Sequence, residues 1–189
     1  MNHCEAAPKI AVSARMIGVR NVFVIRAEEE RDWLAVHALN ASAFGRADEA
    51  DLVESLRQQA HPYISLVAEQ DGSVVGHIVF TSVALSGHPE LKIMGLAPMA
   101  VSPQRQRQGV GTMLVRAGLE QCKRLGFGAV VVLGHPQYYP RFGFSPSSQF
   151  GIRCEYEVPD DAFMIVELQP GYLRCASGTV SYLRAFTRC

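Results

Sequence analysis

Between an apolar run at residues 22–25 and Pro62, hydrophobic positions recur with the spacing of α-helices. The spacing predicts a first helix over about 28–43 and a second helix from Asp48 to Gln59. Asp48 is the candidate N-cap of the second helix, because a short acidic side chain can accept hydrogen bonds from the first helical turn. Pro62 has no backbone N–H to donate and therefore closes the region.

The pattern then changes to that of β-strands. It predicts a strand over 64–68, a hairpin turn at Asp71-Gly72, a return strand over 74–85 and a third strand over 93–101. Pro98 interrupts the third strand. Because proline cannot donate to a β-ladder, we expect an edge, a bulge or a local loss of pairing at that position.

The clearest helix follows at 109–125, with one apolar stripe and Gly126 at its end. Residues 129–133 are apolar without alternation, which is typical of a strand covered on both faces. A strand, a helix and a buried strand form a crossover unit, so strands 93–101 and 129–133 should be parallel. A further strand is predicted over 163–168. The expectation is an α/β fold.

The chain has 189 residues, which suits a single domain, here assigned to 21–189. Residues 1–20 are interpreted as a flexible leader, with a targeting peptide as the alternative.

Lys and Arg number 18, as do Asp and Glu, and this balance argues against a broadly basic nucleic-acid-binding protein. The longest apolar stretches are too short to span a membrane. The five cysteines have neither zinc-finger nor CxxC spacing, so we expect no metal site and a reducing, cytoplasmic compartment.

Candidate chemistry lies where strand 93–101 passes into helix 109–125. The first turn of a helix has unpaired N–H groups and a partial positive charge, and glycines let a phosphate approach the backbone. Arg105 and Arg107 add positive charge. The sequence therefore predicts a pyrophosphate site formed by the following residues: Gln106, Arg107, Gln108, Gly109, Val110, Gly111 and Thr112.

The glycine spacing distinguishes between phosphate-binding motifs. A Walker loop would need a Lys after a glycine, and a dinucleotide fingerprint would need Gly at the position of Leu114. What remains is Gln106-x-x-Gly109-x-Gly111. This segment resembles motif A of the GNAT (GCN5-related N-acetyltransferase) superfamily, in which the loop binds the pyrophosphate of acetyl-coenzyme A.

The second strand of the crossover leads into a string, Tyr138-Tyr139-Pro140-Arg141-Phe142-Gly143-Phe144, that is also similar to this superfamily. Together with the strand at Gly76–Phe80, it resembles the bacterial branch often called YhbS-like. The resemblance covers roughly residues 22–170. It implies a GNAT-like mixed, splayed central sheet of about six to seven strands flanked by helices.

The resemblance also gives Pro98 a role, because GNAT sheets splay between the strands placed here at 93–101 and 129–133. The pantetheine arm of acetyl-CoA enters that gap. A bulge at Pro98 would leave N–H groups at Met99, Ala100 or Val101 free for the thioester carbonyl and the pantetheine amides. In this family Tyr139 would hydrogen-bond to or protonate the leaving thiolate, and adjacent Tyr138 is the weaker candidate.

The sequence does not identify the general base. Many family members use a carboxylate on the strand matching 93–101, but this strand contains no Asp or Glu. His135 is the catalytic candidate for proton relay; His77 and a water chain are alternatives. Cys122 is interpreted as a core thiol. The acidic residues at 28–30 and 48–54 are interpreted as solvated helix faces, with a second possibility that 48–54 hold a cationic amine.

The first hypothesis is therefore an enzyme, an acetyl-CoA-dependent N-acetyltransferase acting on a primary amine of a small molecule or protein by direct attack in a ternary complex. A non-catalytic acyl-CoA-binding sensor domain is the alternative. An acetylator of aminoacyl-tRNA is disfavoured by the neutral charge. The expected partners include neither nucleic acid nor membrane, and the resemblance allows a homodimer.

Overall fold

The computed structural model describes residues 10–11, as backbone, and 22–188. This part of the chain contains three α-helices and ten strands, joined by short 3-10 turns. The helices are α1 (Trp33–Phe44), α2 (Asp48–Gln59) and α3 (Val110–Arg124). The strands are β1 (Ile10–Ala11), β2 (Val24–Ala27), β3 (Tyr63–Gln70), β4 (Ser73–Leu85), β5 (Ile93–Val101), β6 (Ala129–Leu133), β7 (Ser145–Pro146), β8 (Ile152–Cys154), β9 (Phe163–Glu167) and β10 (Gly178–Ser181).

One mixed sheet runs through the molecule in the order β1-β2-β3-β4-β5-β6-β9-β7. Its strands are antiparallel except at β5 and β6, whose parallel pairing confirms the predicted crossover through α3. All five strands predicted from the sequence are present. The five added strands, β1, β2, β7, β8 and β10, are short, and β8 and β10 continue from the far end of β4.

The sheet opens between β5 and β6. Their pairing runs from Ile93 to Leu96 and then stops, whereas β5 continues along β4 to Val101. At the parting, two residues of β5, Ala97 and Pro98, lie opposite the single residue between Ile78 and Phe80. The bulge expected at Pro98 is therefore confirmed, and the splayed α/β fold with it.

The helices cover both faces of this sheet. On one face, α1 and α2 bury Val36, Val53 and Leu56 against β3 and β4. On the other face, α3 buries Leu114 against the sheet and approaches so closely that a Cβ on Gly118 would lie 2.1 Å from the Phe80 ring. None of the helices in residues 22–188 is long and apolar enough to cross a membrane.

Two sequence expectations on the first face need correction. The N-cap of α2 is Ala47, and Asp48 is the first helical residue, because the chain already turns helically at Ala47. The acidic run at 28–30 is only partly solvated: the Glu28 carboxylate is buried and accepts a 2.6 Å hydrogen bond from Arg57. α1 itself begins at Trp33, after a 3-10 turn over Glu30–Asp32.

The leader assigned to residues 1–20 lies outside the described residues, except for strand β1. Ile10 and Ala11 pair with Ile25 and Val24 of β2 in antiparallel register.

Candidate active site

A cleft of about 1450 Å³ occupies the opening between β5 and β6. This volume exceeds the ~300–1,000 Å³ of most small-molecule pockets, so it has room for an extended ligand and a second, smaller one. The end of β5 and the start of α3 form one wall, and the segment after β6 forms the other. The ends of α1, α2 and the chain's last 3-10 turn close the remaining side.

The backbone of β5 directs two N–H groups into the cleft. The amide of Ser102 donates to the Val75 carbonyl of β4 at 2.9 Å, and the register pairs Ala100 with His77. Because bonding alternates along an antiparallel ladder, the N–H of Ala100 points to β4, whereas those of Met99 and Val101 point away from it. Met99 and Val101 line the cleft, and Ala100 does not. The register therefore directs the Ala100 amide to the sheet and away from the cleft.

The first turn of α3 faces the same cleft. Its first intrahelical bond runs from the Met113 amide to the Gly109 carbonyl, and no side chain caps the turn, so the amides of Val110, Gly111 and Thr112 have no helical partner. Gly109 has φ +87° and open space at its Cβ position. The helix end is thus bare and approachable, as an anion site requires.

The residues before α3 shape this loop. The Gln106 side-chain amide donates to the Val101 carbonyl at 3.3 Å, and that of Gln108 donates to the Gln104 carbonyl at 2.9 Å. Gln106 lines the cleft, whereas Gln108 does not, and its side chain braces the loop. Arg107 has φ +60°, an uncommon conformation for a non-glycine residue that turns the chain toward Gly109.

Positively charged side chains cluster at the end of the cleft near the start of α3. Arg105, Arg107 and Arg141 all line it. The Arg141 guanidinium lies 4.6 Å from the Tyr138 ring centre, and the Tyr138 hydroxyl packs against the first turn of α3, where a Cβ on Gly111 would lie 2.8 Å from it. Tyr138 therefore connects the two walls of the cleft and places Arg141 beside the bare helix end.

Tyr139 is buried but lines the cleft. Its ring packs so tightly over Gly134 that a Cβ there would lie 2.3 Å from it, and its edge meets Phe144 with ring centres 5.5 Å apart. Burial raises the pKa of the phenol well above its ordinary value, with the neighbouring Tyr138 adding to the shift. The hydroxyl therefore keeps its proton throughout the physiological range and can only donate or accept a hydrogen bond.

His135 stands at the mouth of the cleft with an exposed side chain. Its carbonyl accepts the amide of Tyr138 at 2.9 Å and, more weakly, that of Tyr139 at 3.4 Å. His135 therefore fixes the turn that presents both tyrosines, while its imidazole is open to solvent.

His77 lies in the core, away from the cleft lining. Its Nε2 contacts the Ser65 hydroxyl at 2.9 Å, and its Nδ1 contacts the Asn40 side-chain amide at 3.1 Å. The Asn40 amide nitrogen also donates to the Val36 carbonyl, so His77 Nδ1 must be the acceptor and Nε2–H the donor. A serine nucleophile would need the opposite proton arrangement. Burial lowers the pKa of His77 to about 3, so the ring is a neutral structural group.

Cys122 lies on the buried face of α3, and burial raises the pKa of its thiol to about 12. It does not line the cleft. A thiol that is neither accessible nor ionised is a poor nucleophile.

The described residues bring together no group of three or more His, Cys, Asp or Glu side chains placed to hold a metal ion.

A family model for the acetyltransferase (GNAT) domain matches residues 24–147, which include the bulge, the loop before α3 and both tyrosines. The chain belongs to the GNAT family of acetyltransferases.

Relatives support this membership along most of the chain. The N-acetyltransferase YjhQ of Escherichia coli is 38% identical over 167 residues, which cover 82% of this chain and 92% of YjhQ. A crystal structure of the GNAT-family N-acetyltransferase YhbS from Escherichia coli in complex with CoA has 33% identity and a TM-score of 0.85, covering 92% of this chain and 97% of YhbS. A GNAT acetyltransferase from Brucella melitensis in complex with acetyl-CoA has 33% identity and a TM-score of 0.73, covering 88% and 99%.

The side of the GNAT cleft formed by α1, α2 and the last 3-10 turn contains a carboxylate. Glu49 lines the cleft with Leu52, Phe44 and Phe186, and its side chain is only 13% exposed. The sequence interpretation of 48–54 as a solvated face is therefore wrong at Glu49. Its spacing from Leu52 and Val53, three and four residues, was the available signal, because these positions share one face of a helix.

Proposed function

We propose that this GNAT protein transfers the acetyl group of acetyl-CoA to a primary amine by direct attack in a ternary complex. The observation that carries the proposal is the continuous path from the outward N–H groups of Met99 and Val101 to the bare first turn of α3. Acetyl-CoA is an extended molecule in which a thioester, the pantetheine amides and a pyrophosphate follow one another. It would lie along this path, and the splay between β5 and β6 leaves room for it.

The residues of the loop suit the pyrophosphate. The amides of Gly109, Val110, Gly111 and Thr112 would donate to its oxygens, and a Cβ at Gly109 is the group that would obstruct them. Gln106 would contribute its backbone N–H, since its side chain already holds Val101. Arg105, Arg107 and Arg141 would add charge, whereas Gln108 serves the loop itself.

Along β5, the pantetheine arm would take the place of a neighbouring strand. The Val101 N–H would pair with the pantetheine arm as a neighbouring strand does. The Met99 N–H would hydrogen-bond to the thioester oxygen and stabilise the negative charge that develops there when the amine attacks. Acetyl-CoA supplies the activated acyl group.

In the reaction, the amine nitrogen forms a bond to the carbonyl carbon and the carbon–sulfur bond breaks. A neutral amine loses one proton and the thiolate gains one, so the transfer balances without another reactant. Phenols ordinarily have a pKa near 10 and thiols one near 8.5, and burial raises that of Tyr139 further. Full proton transfer from Tyr139 to the thiolate is therefore uphill by at least about 2 kcal/mol. Tyr139 would stabilise the leaving thiolate by a hydrogen bond.

The proton would then travel through water at the mouth of the cleft, where the imidazole of His135 stands exposed and can exchange it. His135 is thus the proposed relay, placed to speed the exchange. The buried Cys122 offers no acyl-enzyme intermediate, which favours direct transfer over a two-step exchange.

The three described cysteines are unpaired, which is consistent with the proposed reducing cytoplasm. A sensor that binds acyl-CoA without turnover remains the second candidate, supported by the absence of Asp and Glu from β5.

The test is a thiol-release assay with acetyl-CoA and a panel of primary amines, in which both substrate concentrations are varied. If transfer is direct, one thiol is released for each amide formed. Double-reciprocal plots of the initial rate against one substrate, at several concentrations of the other, should then give intersecting lines. Parallel lines would contradict the ternary complex. Acetyl-CoA binding without thiol release for any amine would favour the sensor.

A further inference from the structure

We propose that Glu49 is the residue that recognises the amine, and that the preferred acceptor is a small hydrocarbon amine with a single positive charge. This inference rests on the proposed function and adds the acceptor class to it.

The charges of the cleft are segregated. Among the described residues that line it, Glu49 is the one carboxylate, whereas the arginines at 105, 107 and 141 belong to the phosphate loop and the turn after β6. A cation entering the cleft therefore meets repulsion at the arginine end and attraction at Glu49. This arrangement attracts the phosphate-bearing ligand to the arginines and the ammonium group to α2.

Glu49 is held in the cleft by the fold of α2. It is the second residue of the helix, and its side chain shares a face with Leu52 and Val53, which are buried against the sheet. The other acidic residues of the helix differ: the side chains of Asp48, Asp51 and Glu54 are 50%, 68% and 54% exposed. The position of Glu49 on the helix therefore places its side chain in the cleft, whereas the other acidic side chains of α2 face solvent.

The Glu49 carboxylate is oriented by Arg46. The Arg46 Nη2 atom lies 2.5 Å from Glu49 Oε1, and its Nε atom lies 3.1 Å from Oε2. Each carboxylate oxygen can accept a second hydrogen bond, so an ammonium group can be bound without displacing Arg46. Arg46 also contacts Asp48 at 3.3 Å. These three side chains together carry one net negative charge, which matches a single ammonium group.

The surroundings of Glu49 define the rest of the acceptor. Phe44, Leu52 and Phe186 line the cleft beside it, and Phe44 is 41% exposed although it is a large apolar side chain. These residues would cover a hydrocarbon body next to the amine. A second ammonium group would find no second carboxylate in this lining, and a carboxylate next to the amine would be repelled by Glu49. The structure therefore favours an aralkyl or alkyl monoamine over polyamines and free amino acids.

The experiment measures binding without turnover. The enzyme is saturated with CoA, the product form of the donor, and 2-phenylethylamine is titrated calorimetrically into the wild type, Glu49→Gln and Glu54→Gln. Glu54→Gln is the matched control, because it makes the same change on the same helix outside the cleft lining. 2-Phenylethanol, spermidine and phenylalanine are titrated as the neutral, polycationic and zwitterionic comparisons.

We expect Glu49→Gln to weaken amine binding roughly 10- to 100-fold, as befits loss of a charge-assisted hydrogen bond, and Glu54→Gln to leave it unchanged. The wild type should prefer 2-phenylethylamine to the three comparison compounds, and CoA affinity should be equal in all variants. Equal amine binding by wild type and Glu49→Gln, no amine binding by the wild type, or a preference for spermidine would each overturn the inference. Thiol release with other amines would leave the proposed function standing in each case.

Discussion

Replacing Tyr139 by Phe removes a single hydroxyl from the proposed reaction centre. The ring contacts remain, because the packing over Gly134 and the edge contacts with Phe144 and Tyr138 involve ring carbons. The described residues offer the hydroxyl no hydrogen-bond partner that would be left unpaired. We therefore expect the variant to fold with a melting temperature equal to or above that of the wild type.

The magnitude follows from the charge on the leaving group. A hydrogen bond to a charged group contributes about 1.5–3 kcal/mol, which corresponds to a decrease in kcat of about 10- to 150-fold. The sulfur carries this charge only as the carbon–sulfur bond breaks, so the KM for acetyl-CoA should change little. Because burial raises the pKa of Tyr139, the wild-type rate should show no loss from phenol ionisation up to pH 9.

The assay is single-turnover thiol release from the enzyme saturated with amine, followed between pH 6 and pH 9. Tyr138→Phe is the matched control, since its hydroxyl packs against Gly111 at the start of α3, and its loss should change the rate less than about threefold if its contacts are worth an ordinary ~0.5 kcal/mol. Wild-type turnover by Tyr139→Phe, or a larger defect in Tyr138→Phe, would refute the assignment.

Three further predictions concern stability. Because burial keeps His77 neutral in the folded chain, with a pKa of about 3 against about 6.5 when unfolded, stability should fall by about 2 kcal/mol from pH 8 to pH 5 in urea unfolding; a flat profile would contradict this. Gly118→Ala should lower the free energy of unfolding by about 1–3 kcal/mol, because the Phe80 ring must move to make room for the methyl group. An unchanged melting temperature would contradict this prediction. Asp32→Asn should cost about 3 kcal/mol by leaving the buried Arg26 without its closest carboxylate. Arg26 lowers the pKa of Asp32, so this contribution should disappear as the pH falls below about 4, and acid titration of both proteins measures it.

The parts of the fold that the sequence predicts are those with strong local signals. The stripe of α3, the unbroken apolar run of β6 and the proline at position 98 each restrict the local backbone strongly, and the observed crossover and bulge agree with these restrictions. Short strands such as β8 and β10 have no such signal. They exist because distant segments pair, Val180 with Leu85 and Cys154, and such pairing is not encoded in any short window.

The site shows the same division. The glycine spacing before α3 indicates an anion site because it depends on local backbone geometry. The orientation of the Ala100 amide depends on the register with β4, and the placement of Glu49 depends on which helical face meets the sheet. Both are properties of tertiary packing, and a sequence motif can identify their neighbourhood only.

The central claim is that the bare start of α3 binds the pyrophosphate of acetyl-CoA, and calorimetric titration with acetyl-CoA tests it most directly. The titration compares the wild type with Gly109→Glu and with Gly126→Glu, which places the same charge at a glycine of similar φ, +82° against +87°, beyond the other end of the helix. We expect binding by the wild type and by Gly126→Glu, and none by Gly109→Glu. Equal affinity in all three proteins, or no binding by the folded wild type, would contradict it.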